Sequence, residues 1–293
     1  MELGSVGIWT GHLNSQRAPR ALETVAELEA LGYGALWLPE AFSRDPLVSA
    51  ALFLAETERI VLATGIATIY GRDATSMACG QKTLAEAFPG RFLLGLGVSH
   101  LPAIEGMRGH TYGPPLATMR TYLDAMDQVP YLAVAPDPEP VRVLAALGPK
   151  MLALAAERAS GAHPYFVPVE HTAVARGILG RGPILAPEQK VVLETDPAVA
   201  RAVAREAMAI YLGLPNYTNN LLRLGFTVDD LADGGSDRLV DAIVVWGDEE
   251  AIAARVQAHH DAGADHVCIQ VLPRPGEASP LDGWRRLAPA LLG

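Results

Sequence analysis

Side chains that could do chemistry stand at or just past the ends of apolar runs: Trp9 and His12, Glu40, Thr68 and Tyr70, Ser99 and His100, His163, Glu194, and Gln270. Three histidines and two carboxylates could ligate a metal. No HxH or HExxH spacing joins them, however, and they come from five separate runs, so no metal site is expected. There is no GxSxG turn, and neither cysteine is adjacent to a histidine, so nucleophilic catalysis has no local support. What is left is a polar mouth able to hold a ligand and move a proton. His100 can act as the proton donor or be bonded to a backbone carbonyl; Glu40 can act as an acid or pair with Arg44 or Arg72. Trp9, Trp37 and Tyr70 are expected in the core or the pocket wall.

A second signal is an anion site. Ala145-Ala146-Leu147-Gly148-Pro149-Lys150 is a strand-to-helix junction, with Gly148 at the turn, Pro149 suited to the first helical position and Lys150 in the first turn. Free N–H groups and the positive end of a helix attract phosphate, and the lysine adds charge. A third signal is Ile60–Tyr70, which opens as a chargeless, β-branched and aliphatic run and is then interrupted at Thr64-Gly65. A glycine inside a strand pattern marks a bulge or a place where a backbone or ligand comes close. Together the two suggest a flat ring with a phosphate tail.

These groups need a scaffold that gathers strand ends. Short apolar runs recur at Val6–Trp9, Ala35–Leu38, Ile60–Ala67, Arg91–Leu96, Val141–Ala146, Ala162–Val167, Lys190–Glu194 and His266–Val271. Helical patterns lie between most of them, as in Ala18–Leu31, Pro46–Thr57 and Ser76–Phe88. Eight such strands predict a single-domain α/β fold over residues 1–293, a (β/α)8 TIM barrel with its site at the carboxyl ends of the strands. A doubly wound sheet would want G-x-G-x-x-G after the first strand, where the chain reads Trp9-Thr10-Gly11-His12-Leu13-Asn14. Two stretches, about 101–140 and 213–248, exceed the repeat and are expected as insertions forming lids, pocket walls or subunit contacts.

The 293 residues are half apolar with a net charge of -10. An acidic chain without a basic cluster argues against nucleic acid or an anionic membrane as partner. No run is long enough to span a bilayer and the start lacks a basic leader, so a cytoplasmic protein with free thiols at Cys79 and Cys268 is expected.

The ordered set resembles the bacterial luciferase-like superfamily, in particular its branch using the deazaflavin coenzyme F420. The elements are Glu23 to Glu40 with Gly32-Tyr33-Gly34 and Leu36-Trp37-Leu38-Pro39-Glu40, then Ala63-Thr64-Gly65-Ile66-Ala67-Thr68, then Arg91 to Ser99, Leu147-Gly148-Pro149-Lys150, and Ala262-Gly263-Ala264-Asp265. The resemblance implies a luciferase-like barrel, a homodimer and a small-molecule substrate, with F420 as cofactor or FMN as the alternative. It places a bulge with a non-proline cis peptide at Gly65, Ile66 and Ala67 behind the ring, with Thr68 beyond it. It puts Val98, Ser99 and His100 at the ring's polar edge, Glu40 near its hydride-carrying carbon, Gly148, Pro149 and Lys150 on the phosphate, and Ala162 and His163 beside that junction. A hydride-transferring oxidoreductase is the reading that follows, with Glu40 or His100 supplying the proton. The alternatives are an FMN-dependent monooxygenase and a non-catalytic carrier of the cofactor.

Overall fold

The computed structural model describes residues 1–274 and 276–293. Its strands are β1 (Val6–Trp9), β2 (Ala35–Leu38), β3 (Val61–Thr64), β4 (Ala67–Thr68), β5 (Phe92–Gly97), β6 (Val141–Leu144), β7 (Gly161–Ala162), β8 (Ile184–Leu185), β9 (Glu188–Val192), β10 (Val244–Trp246) and β11 (Val267–Val271). All pair in parallel, in the order β10-β9-β11-β1-β2-β3-β5-β6-β7-β8, with β4 also on β5. The path closes on itself because β8 and β9 are two halves of one extended segment. On one side Ile184 N bonds to Ser160 O and Glu188 N to Pro164 O; on the other, Cys268 N bonds to Pro187 O and Cys268–Val271 register with Glu188–Val191. The result is the expected (β/α)8 barrel.

Two cores follow from closure. Alternate residues of each strand point inward, and Ala35, Trp37, Ala63, Leu93, Val143 and Cys268 fill the lumen. The opposite faces, Leu36, Leu62 and Ile269 among them, meet the surrounding helices. Both cysteines are free, Cys268 buried in the lumen and Cys79 half-buried. No helix among the described residues is long and apolar enough to cross a membrane.

Four elements differ from the sequence expectation. The run Ile60–Ala67 is not one strand but β3 and β4, separated by a cis Gly65-Ile66 peptide. The sixth strand stops at Ala162 instead of Val167: Pro164 has no N–H to give, and Phe166 takes a φ of 59°, which no strand accommodates. The seventh starts at Glu188, not Lys190, and ends at Val192, where Glu194 N turns back to Val192 O. Val244–Trp246, inside the stretch expected as an insertion, is a strand on β9. The rest of that stretch is helical, including Pro215–Arg223 and Asp237–Ile243. Between 101 and 140 lie a π-helical turn, Pro102–Met107, and the helix Pro115–Asp127.

Candidate functional site

The carboxyl end of the lumen is lined by Trp9, Gly65, Tyr165, Lys190 and Gln270. Trp9 Nε1 donates to Gly65 O at 2.8 Å, across the break between β3 and β4. A Cβ on Gly65 would sit 2.7 Å from Trp9 Nε1 and 3.2 Å from His163 Nε2, so the approach requires glycine. The same seam is tight at Gly95, where Thr64 Oγ1 accepts from the Gly95 amide and donates to its carbonyl. Ile66 is half-buried, Ala67 and Thr68 are buried, and the split strand therefore presents mostly backbone.

Glu40 is what holds that backbone. Its amide bonds to Ile66 O, and its Oε2 accepts from Thr68 N at 2.8 Å. Arg72 Nη1 reaches both carboxylate oxygens at 3.0 Å, and Arg108 Nη2 stands 3.7 Å from Oε1. Arg72 also contacts Asp45, which caps the helix Pro46–Ala55. Of the two expected ion-pair partners the chain uses Arg72; Arg44 instead donates to Leu13 O and Gln16 O. With its oxygens engaged and its side chain 7% exposed, Glu40 is a clamp on β4 and not a free acid in the mouth.

The end of β5 carries Val98, Ser99 and His100, all half-buried. Ser99 has a φ of 55°, which turns the chain over the mouth, and its carbonyl accepts from Tyr112 Oη at 3.2 Å. The His100 imidazole lies beside Asn216 and packs against Tyr217, with ring centroids 5.5 Å apart. Burial lowers its pKa from the usual 6.5 while Asn216 works the other way. The ring is therefore neutral near pH 7, donating through one nitrogen and accepting through the other.

His163 lies elsewhere than expected. It is 1% exposed, stacked on Trp37 at 4.3 Å between centroids, with Nδ1 bonded to Ala186 O at 2.7 Å. It belongs to the barrel interior, and the fully buried Ala162 to the outer core under the helices, so neither stands at the rim beside Gly148. The reason is strand parity: in the short β7 the side chain after Ala162 turns into the lumen. Burial brings the His163 pKa down to about 4. Glu194 is likewise committed, accepting from Thr195 N, Asp196 N and Arg274.

Sequence reasoning missed a buried ion pair. Lys190 Nζ lies 3.1 Å from Glu188 Oε1, both side chains 1% exposed. The ammonium sits 3.8 Å from the Tyr165 ring centre, 4.9 Å from Tyr211 and 5.3 Å from Phe166. Burial pushes the pKa of Lys190 down and that of Glu188 up, while their contact favours both charged forms and the rings favour the ammonium. Tyr165 in turn lies 4.9 Å from Trp9, and its hydroxyl meets Tyr211 Oη at 2.8 Å and Gln270 Oε1 at 2.9 Å. Only the inward parity of these positions could have signalled them.

The junction at Gly148 begins the helix Pro149–Arg158, as expected, and no side chain caps it. Lys150 is exposed in its first turn. Arg223, from the helix Pro215–Arg223, brings its Nη2 to 3.4 Å from where a Gly148 Cβ would be. Its one described side-chain partner is the neutral Asn220 Oδ1 at 3.3 Å; among the described residues no carboxylate pairs with it. An uncapped helix start with an acid-free guanidinium and a lysine suits a phosphate. A groove of about 460 Å³ past the ends of β9 and β11, lined by Leu193, Arg274, Glu277 and Arg286, offers no such site: both arginines are engaged by glutamates.

Known proteins share this architecture. The sequence profile described as luciferase-like monooxygenase matches residues 2–266. A Mycobacterium tuberculosis protein with the provisional name coenzyme F420-dependent oxidoreductase is 28% identical, over 92% of this chain and 96% of the relative. The solved structure of an F420-dependent secondary alcohol dehydrogenase with an F420-acetone adduct superposes with a TM-score of 0.78 at 14% identity, over 99% of both chains. The oxygenating constituent of 3,6-diketocamphane monooxygenase from Pseudomonas putida, in complex with FMN, superposes at 0.71 and 16% identity, over 98% of both. At those identities the two structures speak for the fold alone. The profile match covers most of the chain, which therefore belongs to the luciferase-like monooxygenase family.

Proposed function

We propose that this enzyme uses the deazaflavin coenzyme F420 to move a hydride to or from a small organic substrate. The observation that carries the reading is the anion cradle of Gly148, Pro149, Lys150 and Arg223, on the same barrel end as the broken strand at Gly65. The name of the mycobacterial relative supports the deazaflavin over a flavin.

When bound, the coenzyme supplies a ring carbon that gives or takes a hydride. The chain's own residues do the rest. Gly65, Ile66, Ala67 and Thr68 back the ring with a firm backbone surface, which Glu40 and Trp9 hold in place. Val98 and Ser99 border its polar edge, and the Gly148 junction takes the phosphate. His100, neutral and packed against Tyr217, delivers or removes the proton that accompanies hydride transfer. Glu40, whose oxygens are engaged by Thr68 N and two arginines, acts through positioning. The active form is read as a homodimer.

The rival cofactor is FMN, since an FMN-bound monooxygenase shares the fold. Titrating the purified protein with F420 and separately with FMN, followed by fluorescence, decides between them. F420 is expected to bind with a dissociation constant on the order of micromolar and FMN much more weakly. Arg223→Ala should weaken F420 binding roughly 3- to 10-fold through loss of a charge-assisted contact. Preference for FMN would overturn the reading.

A further inference from the structure

Gln270 is the last inward-facing residue of β11: Cys268 points into the lumen, and two residues on along a strand is the same face. It stands half-buried at the mouth. The Tyr165 hydroxyl donates to Gln270 Oε1 at 2.9 Å. A phenol has one proton, so the 2.8 Å contact between Tyr165 and Tyr211 must be donated by Tyr211. The relay Tyr211 to Tyr165 to Gln270 thus occupies the carboxamide oxygen and fixes which way the amide faces. Nε2 keeps both protons, with no described protein partner.

The surroundings fix what such a donor would bind. Lys190 lies beneath the Tyr165 ring, and a cation there strengthens the phenol as a donor. Burial also keeps Tyr165 protonated, its pKa raised above the ordinary phenol value. Yet Lys190 offers no charge to a ligand, because Glu188 neutralises it and the rings cover it. Trp9 packs on Tyr165 and Tyr165 on Tyr211, so the walls beside the carboxamide are aromatic. The donor is neutral, the walls are apolar and the nearby imidazole of His100 is uncharged near pH 7.

We propose that Gln270 is the specificity-determining donor of this site, oriented by Tyr165 and Tyr211, and that it selects a compact substrate with a neutral oxygen acceptor, a carbonyl or hydroxyl, over a carboxylate. The inference deepens the reading above and rests on that mouth being the substrate site.

The test measures binding, not turnover, by ligand-observed NMR on the purified protein with and without oxidised F420. The probes are cyclohexanone, methylenecyclohexane, which has nearly the same shape but no acceptor, and cyclohexanecarboxylate. The ketone is expected to bind tightest. Gln270→Leu should cut ketone affinity roughly 5- to 10-fold, the loss of one neutral hydrogen bond, and leave the hydrocarbon unchanged. Tyr165→Phe, which frees the amide to turn, should narrow the ketone-to-hydrocarbon ratio by a few-fold, and it carries the test if the leucine variant does not fold. Loss of packing alone would weaken both probes equally. An unchanged ratio in the variants, a preference for the carboxylate, or no ketone binding at all would overturn the proposal. Because the ratio is read with and without coenzyme, a protein that prefers FMN yet keeps the Gln270 effect would fail the functional reading and leave this one standing.

Discussion

Glu188 and Lys190 place two charges in a barrel lumen, a space that branched apolar side chains usually fill. Taking them out of water costs several kcal/mol each, offset by a 3.1 Å contact, the Phe166 amide on Glu188 Oε2 and the three rings around the ammonium. Removing one partner leaves the other charge buried and uncompensated. Lys190→Met and Glu188→Gln are each expected to destabilise by about 3–5 kcal/mol, and the double variant by much less than the sum. Urea denaturation of the four proteins gives the coupling directly. Strict additivity would mean that the pair does not hold together the floor on which Tyr165 and Gln270 rest.

At the scale of elements, legibility followed apolar length. Strands such as Ala35–Leu38 and Phe92–Gly97 are unbroken apolar or glycine-bearing runs, and so they stood out. The segment that closes the ring did so only from Lys190 on; Ile184–Gln189 was not legible, because Pro187 divides it and the inward Glu188 is charged, the opposite of a buried-strand signature. Val244–Trp246 is three residues long and follows a helix directly, too short to show a period. Gly148 was visible as punctuation, whereas Arg223 reaches it only through the tertiary packing of a helix in a stretch without a motif. The helix Pro46–Ala55 carries a further consequence. It has no charged residue and is apolar on all sides, with Val48 60% and Leu52 48% exposed one turn apart and Ala55 beyond them on the same outward stripe. A helix apolar all round is normally buried, and a second copy of this chain is the expected cover. Sedimentation should give a dimer for the native protein and a monomer for the double variant Val48→Glu/Leu52→Glu, with similar far-UV circular dichroism. A native monomer at tens of micromolar would remove the homodimer from the reading.

For the whole molecule, three of the four buried histidines among the described residues tie distant parts of the barrel together. His163 stacks on Trp37 and bonds to Ala186 O. His266 lies between Gly4 O and Trp37 Nε1; since the indole can only donate, His266 Nε2 accepts and Nδ1 carries the proton. His259 spans Thr172 Oγ1 and Gln189 Oε1, and the Gln189 amide is already donating to Lys190 O and Ile243 O, so His259 Nε2 is its proton-bearing nitrogen. Burial lowers all three pKa values from the usual 6.5, to about 4 for His163 and His266 and about 3 for His259. The native state therefore refuses protons that the unfolded chain accepts. Their contribution to stability is complete above about pH 7 and is lost as pH falls through 6.5 toward 4. The slope reaches at most about 1.4 kcal/mol per pH unit for each histidine, or about 4 for the three. Between pH 7 and 5 the ordinary carboxylates remain largely ionised, so unfolding free energies measured there report chiefly the buried imidazoles, including His171, whose pKa burial also lowers. His266→Gln should lower stability at pH 7 and flatten the slope by about one proton, because the glutamine cannot titrate. Equal stability at pH 7 and pH 5 in the native protein would show that these rings are not held neutral, and the bonds that brace the lumen beneath the site would need another account.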